Sequence, residues 1–156
     1  MKKLEFWWWA IEKVDFDILC FITKITHSKR ILEFWPWTST YAFLEWWAKT
    51  IHTYEYNESY YKQWAETFSG YGDIIRLPKS LLDEQYDLAF VDWPKWIDNM
   101  SRIESIKFAL SHSPLVILHD AKRKWEMESL DLIRKEWFDI DIIDTPMWMA
   151  IISRKE

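Results

Sequence analysis

Seven short apolar runs alternate with amphipathic stretches along this chain, and that alternation constrains its fold more than any single motif does. The runs are Arg30 to Phe34, Thr50 to Glu55, Asp73 to Leu77, Tyr86 to Asp92, Leu115 to His119, Asp139 to Asp144 and Met147 to Ser153. Each is rich in β-branched or aromatic residues and bounded by polar segments, the pattern of strands buried in a sheet. Between them Tyr41 to Ala48, Glu58 to Phe68, Arg102 to Leu110 and Glu126 to Glu136 carry helical spacing, and a further helix is expected within Lys3 to Thr26. Strand and helix in alternation predict an α/β fold around a mostly parallel sheet. Only Thr145 and Pro146 separate the last two runs. That is too short for a parallel crossover, so these strands are expected to form an antiparallel hairpin.

A chain of 156 residues has room for one domain. Residues 1–29 are expected to form an N-terminal helical segment and residues 30–153 the sheet with its helices. A 49% hydrophobic and 29% charged composition excludes a disordered chain. No apolar run approaches the roughly 20 residues of a membrane helix. The N-terminal run Phe6 to Ile11 is shorter than the core of a signal peptide, and Cys20, the one cysteine, has no internal disulfide partner. The expected compartment is therefore a reducing cytoplasm. A net charge of −5 argues against nucleic acid or a membrane surface as partner.

The chain holds 2 glycines and 13 tryptophans, whereas average usage of roughly 7% would give about 11 glycines. Chance, a tryptophan-rich design and a glycine codon decoded as tryptophan each produce such numbers, and the positions discriminate between them. Trp47 and Trp137 fall where a helix ends and a strand begins, the usual place of a left-handed glycine. Trp148 follows the turn of the final hairpin. Trp35, Trp37 and Trp93 stand just after strand ends, where backbone approaches a ligand closely. These six positions call for glycine, which favours the decoding explanation; Trp64, inside a helix, reads as a core residue. Trp7 to Trp9, Trp46, Trp96 and Trp125 point neither way.

The first strand continues as Glu33, Phe34, Trp35, Pro36, Trp37, Thr38, Ser39, Thr40. Read with glycine at 35 and 37, this E-F-G-P-G-T-S-T resembles motif I of the class I S-adenosylmethionine-dependent methyltransferases. The resemblance implies a Rossmann-like sheet in the order 3-2-1-4-5-7-6. It also implies that Glu33, positions 35 and 37 (Trp35 and Trp37 here) and Thr38 lie against the cofactor. A nicotinamide loop would place a third glycine at Thr40, which disfavours an NAD enzyme. Glu55 stands 20 residues after Trp35, where a carboxylate can accept hydrogen bonds from both ribose hydroxyls. In the same family Leu77 would line the adenine. In that strand order the eight residues Pro78 to Gln85 must span about 22 Å against a reach near 28 Å, leaving room for at most one helical turn.

The fourth run ends Val91, Asp92, Trp93, Pro94, Lys95 and the fifth ends His119, Asp120. With glycine at 93 the former is similar to motif IV of the family, so Asp92 is also expected at the cofactor. Two carboxylates at neighbouring strand ends suit a divalent cation that acidifies a bound hydroxyl. The resemblance to catechol-type O-methyltransferases implies metal ligands at Asp92 and Asp120, with Mg or Mn as the ion, and Lys95 as the base. The usual next ligand, Asn, is Ala121 here; His119 is a candidate ligand or general base. The plainer roles stand beside these: Asp92 touching only the cofactor, Asp120 capping the next segment, Lys95 solvated, His119 in the core. A narrower likeness to glucuronoxylan-type polysaccharide O-methyltransferases covers residues 86–126. It implies that Arg102 and Arg123, with Glu126, line the acceptor side, the arginines suited to a substrate carboxylate.

The expected activity is therefore methyl transfer from S-adenosylmethionine to a hydroxyl oxygen of a small-molecule or carbohydrate acceptor. A short chain without inserted lid elements leaves the acceptor side open for a partner subunit, as in a homodimer. The alternative is a non-catalytic binding scaffold whose cofactor cleft is filled by Trp35 and Trp37.

Overall fold

The computed structural model describes residues 12–92, 101–136 and 138–155. Seven strands form one sheet: β1 (Arg30–Phe34), β2 (Thr50–Tyr54), β3 (Ile75–Arg76), β4 (Leu88–Val91), β5 (Leu115–Leu118), β6 (Phe138–Ile143) and β7 (Met149–Arg154). Their order is β3-β2-β1-β4-β5-β7-β6, parallel except where β7 runs antiparallel to both β5 and β6. The expected order and the expected terminal hairpin are both present. Between β3 and β4 the described chain contains no helix, as the short link requires.

Among the described residues five α-helices cover the sheet: α1 (Lys13–Ile25), α2 (Thr38–Glu45), α3 (Glu58–Thr67), α4 (Ile103–His112) and α5 (Lys124–Lys135). Alternate residues of each central strand point to opposite faces. Ile31, Leu88, Phe90 and Ile117 meet Leu19, Phe43, Trp64 and Phe68 on the face covered by α1, α2 and α3. Leu32, Phe34, Val91 and Leu118 meet Ile106, Leu110, Leu130 and Ile133 of α4 and α5 on the other. Burial on both faces is why these strands read as continuous apolar runs rather than alternating ones. Trp64 is 6% exposed, in the core as its helical position predicts.

Two elements differ from expectation. The third strand pairs only through Ile51 with Ile75 and His52 with Arg76, because it is an edge with a single neighbour. Helix α2 begins at Thr38 rather than Tyr41. Its first-turn hydroxyls are not loop polarity: Ser39 Oγ and Thr40 Oγ1 donate to the buried Glu33 carboxylate, which holds the turn helical. No helix among the described residues is long and apolar enough to cross a membrane.

Candidate active site

Strand register levels the chemistry-bearing residues along one edge. Phe34 is opposite Tyr54 on one side and Val91 on the other, and Val91 is opposite Leu118. One residue further on, Trp35, Glu55, Asp92 and His119 therefore leave the sheet side by side. The ladder runs into them, with Trp35 N donating to Tyr54 O at 2.9 Å and His119 N to Val91 O at 3.1 Å. The strand order reverses between β1 and β4, and a crevice at such a switch point outside the carboxyl ends is where open α/β sheets bind ligands.

The β1 loop shows what glycine would do there. Trp35 has φ 76°, Trp47 φ 65° and Trp148 φ 51°, all left-handed, while neither glycine of the chain has positive φ. After α2, Trp47 N donates to Leu44 O and Ala48 N to Phe43 O, the paired bonds of a helix end closed by a left-handed residue, usually glycine. Trp148 N donates to Thr145 O across the Pro146–Met147 turn, again a place where a left-handed residue hands the chain to the strand. Trp37 has φ −161°, an extended angle open to any residue. Trp93 and Trp137 lie outside the described residues, as does Lys95. Gly70, by contrast, has open space where a Cβ would stand, and at Gly72 a Cβ would meet only Ser69 O at 3.8 Å, an ordinary contact.

Glu33 is fully buried and receives hydroxyls from Ser39, Thr40 and Thr53. Burial pushes its carboxyl up to about 7, against the pull of those three hydrogen bonds. It thus ties the β1 loop to α2 and β2 from below. Thr38 opens α2 and is buried, and in this first turn Thr40 N donates back to Trp37 O at 3.1 Å. Glu55 is 4% exposed, and its Oε1 accepts the Asn57 amide at 2.7 Å. Leu77 follows β3, half-buried, with its carbonyl accepting the Tyr61 hydroxyl at 3.0 Å. The Trp37 ring meets Trp64 edge to face at 4.6 Å, and Trp35 lies tilted against it at 6.4 Å.

At the β4 and β5 ends a buried ionic cluster gathers residues from five elements. His119 Nδ1 is 3.1 Å from Asp92 Oδ1, and its Nε2 is 3.6 Å from Asp15 Oδ2 on α1. Burial works to lower the His119 pKa, but Asp92, Asp15 and Asp120 outweigh it and push it up to about 10. His119 is thus set between carboxylates that favour its protonated form. Burial would raise the Asp92 carboxyl, yet His119, Arg102 and Arg123 hold it below the usual carboxylate range. Burial and the neighbouring Asp92 raise Asp120.

Arg102, expected at the acceptor face, is instead 1% exposed. Its Nη2 is 3.2 Å from Asp92 Oδ1 and 3.4 Å from Asp120 Oδ2, and its Nε is 3.5 Å from Glu126 Oε1. Three carboxylates within the protein draw this guanidinium inward, where it is taken up by internal partners rather than by a substrate carboxylate. Arg123 pairs with Asp120 and keeps its side chain 28% exposed, so of the two arginines it is the one left partly open to solvent. Sequence reasoning missed Asp15. A signal existed: Asp15 occupies the same stripe as Leu19, Ile22 and Thr23, all buried, and a carboxylate on the core stripe of a helix requires a buried cation.

No family model and no curated protein matches the chain. Solved structures do. An O-methyltransferase from Bacillus cereus in complex with SAH is 14% identical with a TM-score of 0.77, covering 94% of this chain and 83% of that one. The SAH-bound methyltransferase PaMTH1 from Podospora anserina is 20% identical with a TM-score of 0.74 over 94% of this chain and 80% of that one. The O-methyltransferase TomG from Streptomyces achromogenes, in complex with SAM, is 13% identical with a TM-score of 0.69, over 94% and 82%. The chain has the Rossmann-like fold of these methyltransferases.

Proposed function

We propose that this protein is an S-adenosylmethionine-dependent methyltransferase acting on a hydroxyl oxygen of a small-molecule or carbohydrate acceptor. The observation that carries the reading is the level row formed by the left-handed β1 loop, Glu55 and Asp92 at the switch point of a sheet whose structural neighbours are methyltransferases. The donor set suits the cofactor. A left-handed turn leading into a helix N-terminus brings backbone to a ligand, and the buried Glu55 carboxylate at the next strand end matches a ribose diol.

When bound, S-adenosylmethionine supplies an electrophilic methyl group on a sulfonium sulfur, which retains the bonding electrons as the methyl leaves. The residues of this chain have the tasks of placement and proton management. Glu33 fixes the loop under the cofactor through Ser39, Thr40 and Thr53. Asp92, 14% exposed at its side chain and braced by His119 and Arg102, accepts the hydrogen bond of the acceptor hydroxyl and aims its oxygen. Lys95, three residues on in sequence, is the base to which the hydroxyl proton passes. Arg123 attracts an anionic group of the acceptor. The protein works in the cytoplasm, and a second copy closes the open acceptor side.

A second reading, an occluded binding scaffold, is favoured by one observation: the indoles of Trp35 and Trp37 stand at the loop itself. Calorimetric titration of S-adenosylmethionine into the chain as it stands and into a version with Gly at 35, 37, 47, 93, 137 and 148 separates the two. Binding by the glycine version supports the methyltransferase. Binding by neither, with both folded, refutes it.

A further inference from the structure

We infer that Arg102 is a built-in cation occupying the place between the β4 and β5 carboxylates that a divalent metal ion would take, so that this chain holds its acceptor without a metal. At first sight Asp92, His119 and Asp120 qualify as a cation site, since each offers a ligand atom and these lie within 4.8 Å of one another. The donor set does not fit one. Asp92 Oδ1 already faces His119 Nδ1 at 3.1 Å and Arg102 Nη2 at 3.2 Å. Asp120 Oδ2 faces Arg102 Nη2 at 3.4 Å and is paired with Arg123. The two oxygens a metal would bridge are thus the two that a single guanidinium nitrogen bridges. A compact divalent ion needs several oxygen ligands at close range, and here it would have to sit beside the guanidinium groups of Arg102 and Arg123. The residue after Asp120, where a further ligand would stand, is Ala121, fully buried and without a donor.

Arg102 is fixed in this place from behind. Its Nε pairs with Glu126 Oε1 at 3.5 Å, its own amide donates to Glu126 Oε2 at 3.2 Å, and Nη1 donates to the His119 carbonyl. The turn that presents it is closed by Ser101, whose hydroxyl meets Ser129 Oγ at 2.6 Å and accepts the Ile103 amide at 3.1 Å. Swinging Arg102 aside for a metal would leave Glu126 as a buried, uncompensated charge. Asp92, Asp120 and Glu126 are each already within ion-pair distance of a guanidinium. An arginine offers fixed, planar donors and no open coordination position. It can hold Asp92 for an acceptor but cannot act as a Lewis acid on the acceptor oxygen. That consequence for catalysis rests on the methyltransferase reading; the absence of a metal site does not.

The test is Mn²⁺ titration, by calorimetry and by thermal unfolding, of the chelator-treated full chain and of D92N, D120N and R102M. For the natural Arg102 protein the expected result is no saturable binding that depends on Asp92 or Asp120. At about 100 times its dissociation constant a bound ion would raise the unfolding midpoint by several degrees, so the shift is readable. R102M should unfold at lower temperature and should gain stability from Mn²⁺ that the parent does not. One Mn²⁺ bound per parent chain and lost in both D92N and D120N would overturn the inference. So would a folded R102M indifferent to Mn²⁺. Mn²⁺ binding that survives D92N and D120N lies elsewhere and leaves the cluster closed, as inferred. If R102M does not fold, the parent and its two carboxylate variants decide alone. Failure to bind S-adenosylmethionine would sink the methyltransferase reading without changing any of these outcomes.

Discussion

Replacing Trp47 by glycine should stabilise this protein, although it deletes the largest side chain there is. Trp47 closes α2 at φ 65° and is 81% exposed. A non-glycine residue in the left-handed region costs about 1 to 2 kcal/mol, and so little of the indole is buried that its removal forfeits almost no transfer energy. Against this, glycine adds about 0.5 to 1 kcal/mol of chain entropy to the unfolded state. The net expectation for Trp47→Gly is a gain of about 0.5 to 1 kcal/mol. At roughly 2 to 4 °C per kcal/mol for a chain of this size, that is a rise of a few degrees in Tm. The same chemical change at Trp64 should do the reverse. Trp64 is 6% exposed in the interior of α3, so Trp64→Gly should lose about 4 to 6 kcal/mol from the cavity and the helix-interior glycine together. Urea denaturation of both variants at constant slope reads the two signs directly. A Trp47→Gly variant less stable than its parent would refute the argument that these backbone positions were built for glycine. The companion measurement is the intact mass of the protein expressed in its own cells: a value below 19.2 kDa is expected if the codon there means glycine.

Three further outcomes follow from the buried charges. Glu33 has its carboxyl raised from 4.5 to about 7 by burial, so its contribution to stability is complete below about pH 4.5 and is lost as pH rises through 7, about 3 kcal/mol in all. Urea midpoints of Glu33→Gln should therefore gain on the parent across that window, and a gap independent of pH would refute the assignment. Removing one carboxylate from His119 should bring its raised pKa down from about 10. NMR titration of the imidazole in Asp15→Asn tests this, an unmoved midpoint meaning that Asp15 has no influence. The His119 contribution to stability is present in full below its unfolded value near 6.5 and fades as pH climbs towards 10. Finally, Glu126→Gln leaves Arg102 short of a buried partner and should cost about 3 to 5 kcal/mol by denaturation; a loss under 1 kcal/mol would show that Arg102 does not depend on it.

Much of this architecture was legible because it is written in local, periodic chemistry. Runs such as Leu88 to Val91 and Leu115 to Leu118 are apolar throughout because helices cover both faces of their sheet, and the two residues between the last runs admit only a hairpin. The glycine-seeking positions were legible too, since a strand end, a helix end and a tight turn each announce themselves in sequence; the left-handed angles at Trp35, Trp47 and Trp148 agree. Local pattern could not show which charges meet. Asp15, Asp92, Arg102, His119, Asp120 and Glu126 span more than a hundred residues, and their roles depend on distances of 3 to 4 Å set by packing. Arg102 read as an acceptor ligand through the likeness to polysaccharide O-methyltransferases and the fit of a guanidinium to a carboxylate, and His119 read as a candidate ligand or base because an unperturbed imidazole titrates near neutrality. Neighbouring carboxylates changed both settings: Asp92, Asp120 and Glu126 take up Arg102, and Asp92, Asp15 and Asp120 raise His119 against the effect of burial. Sequence thus determined which residues end the strands along one edge of the sheet, and tertiary structure alone decided which of their charges are paired inside the protein.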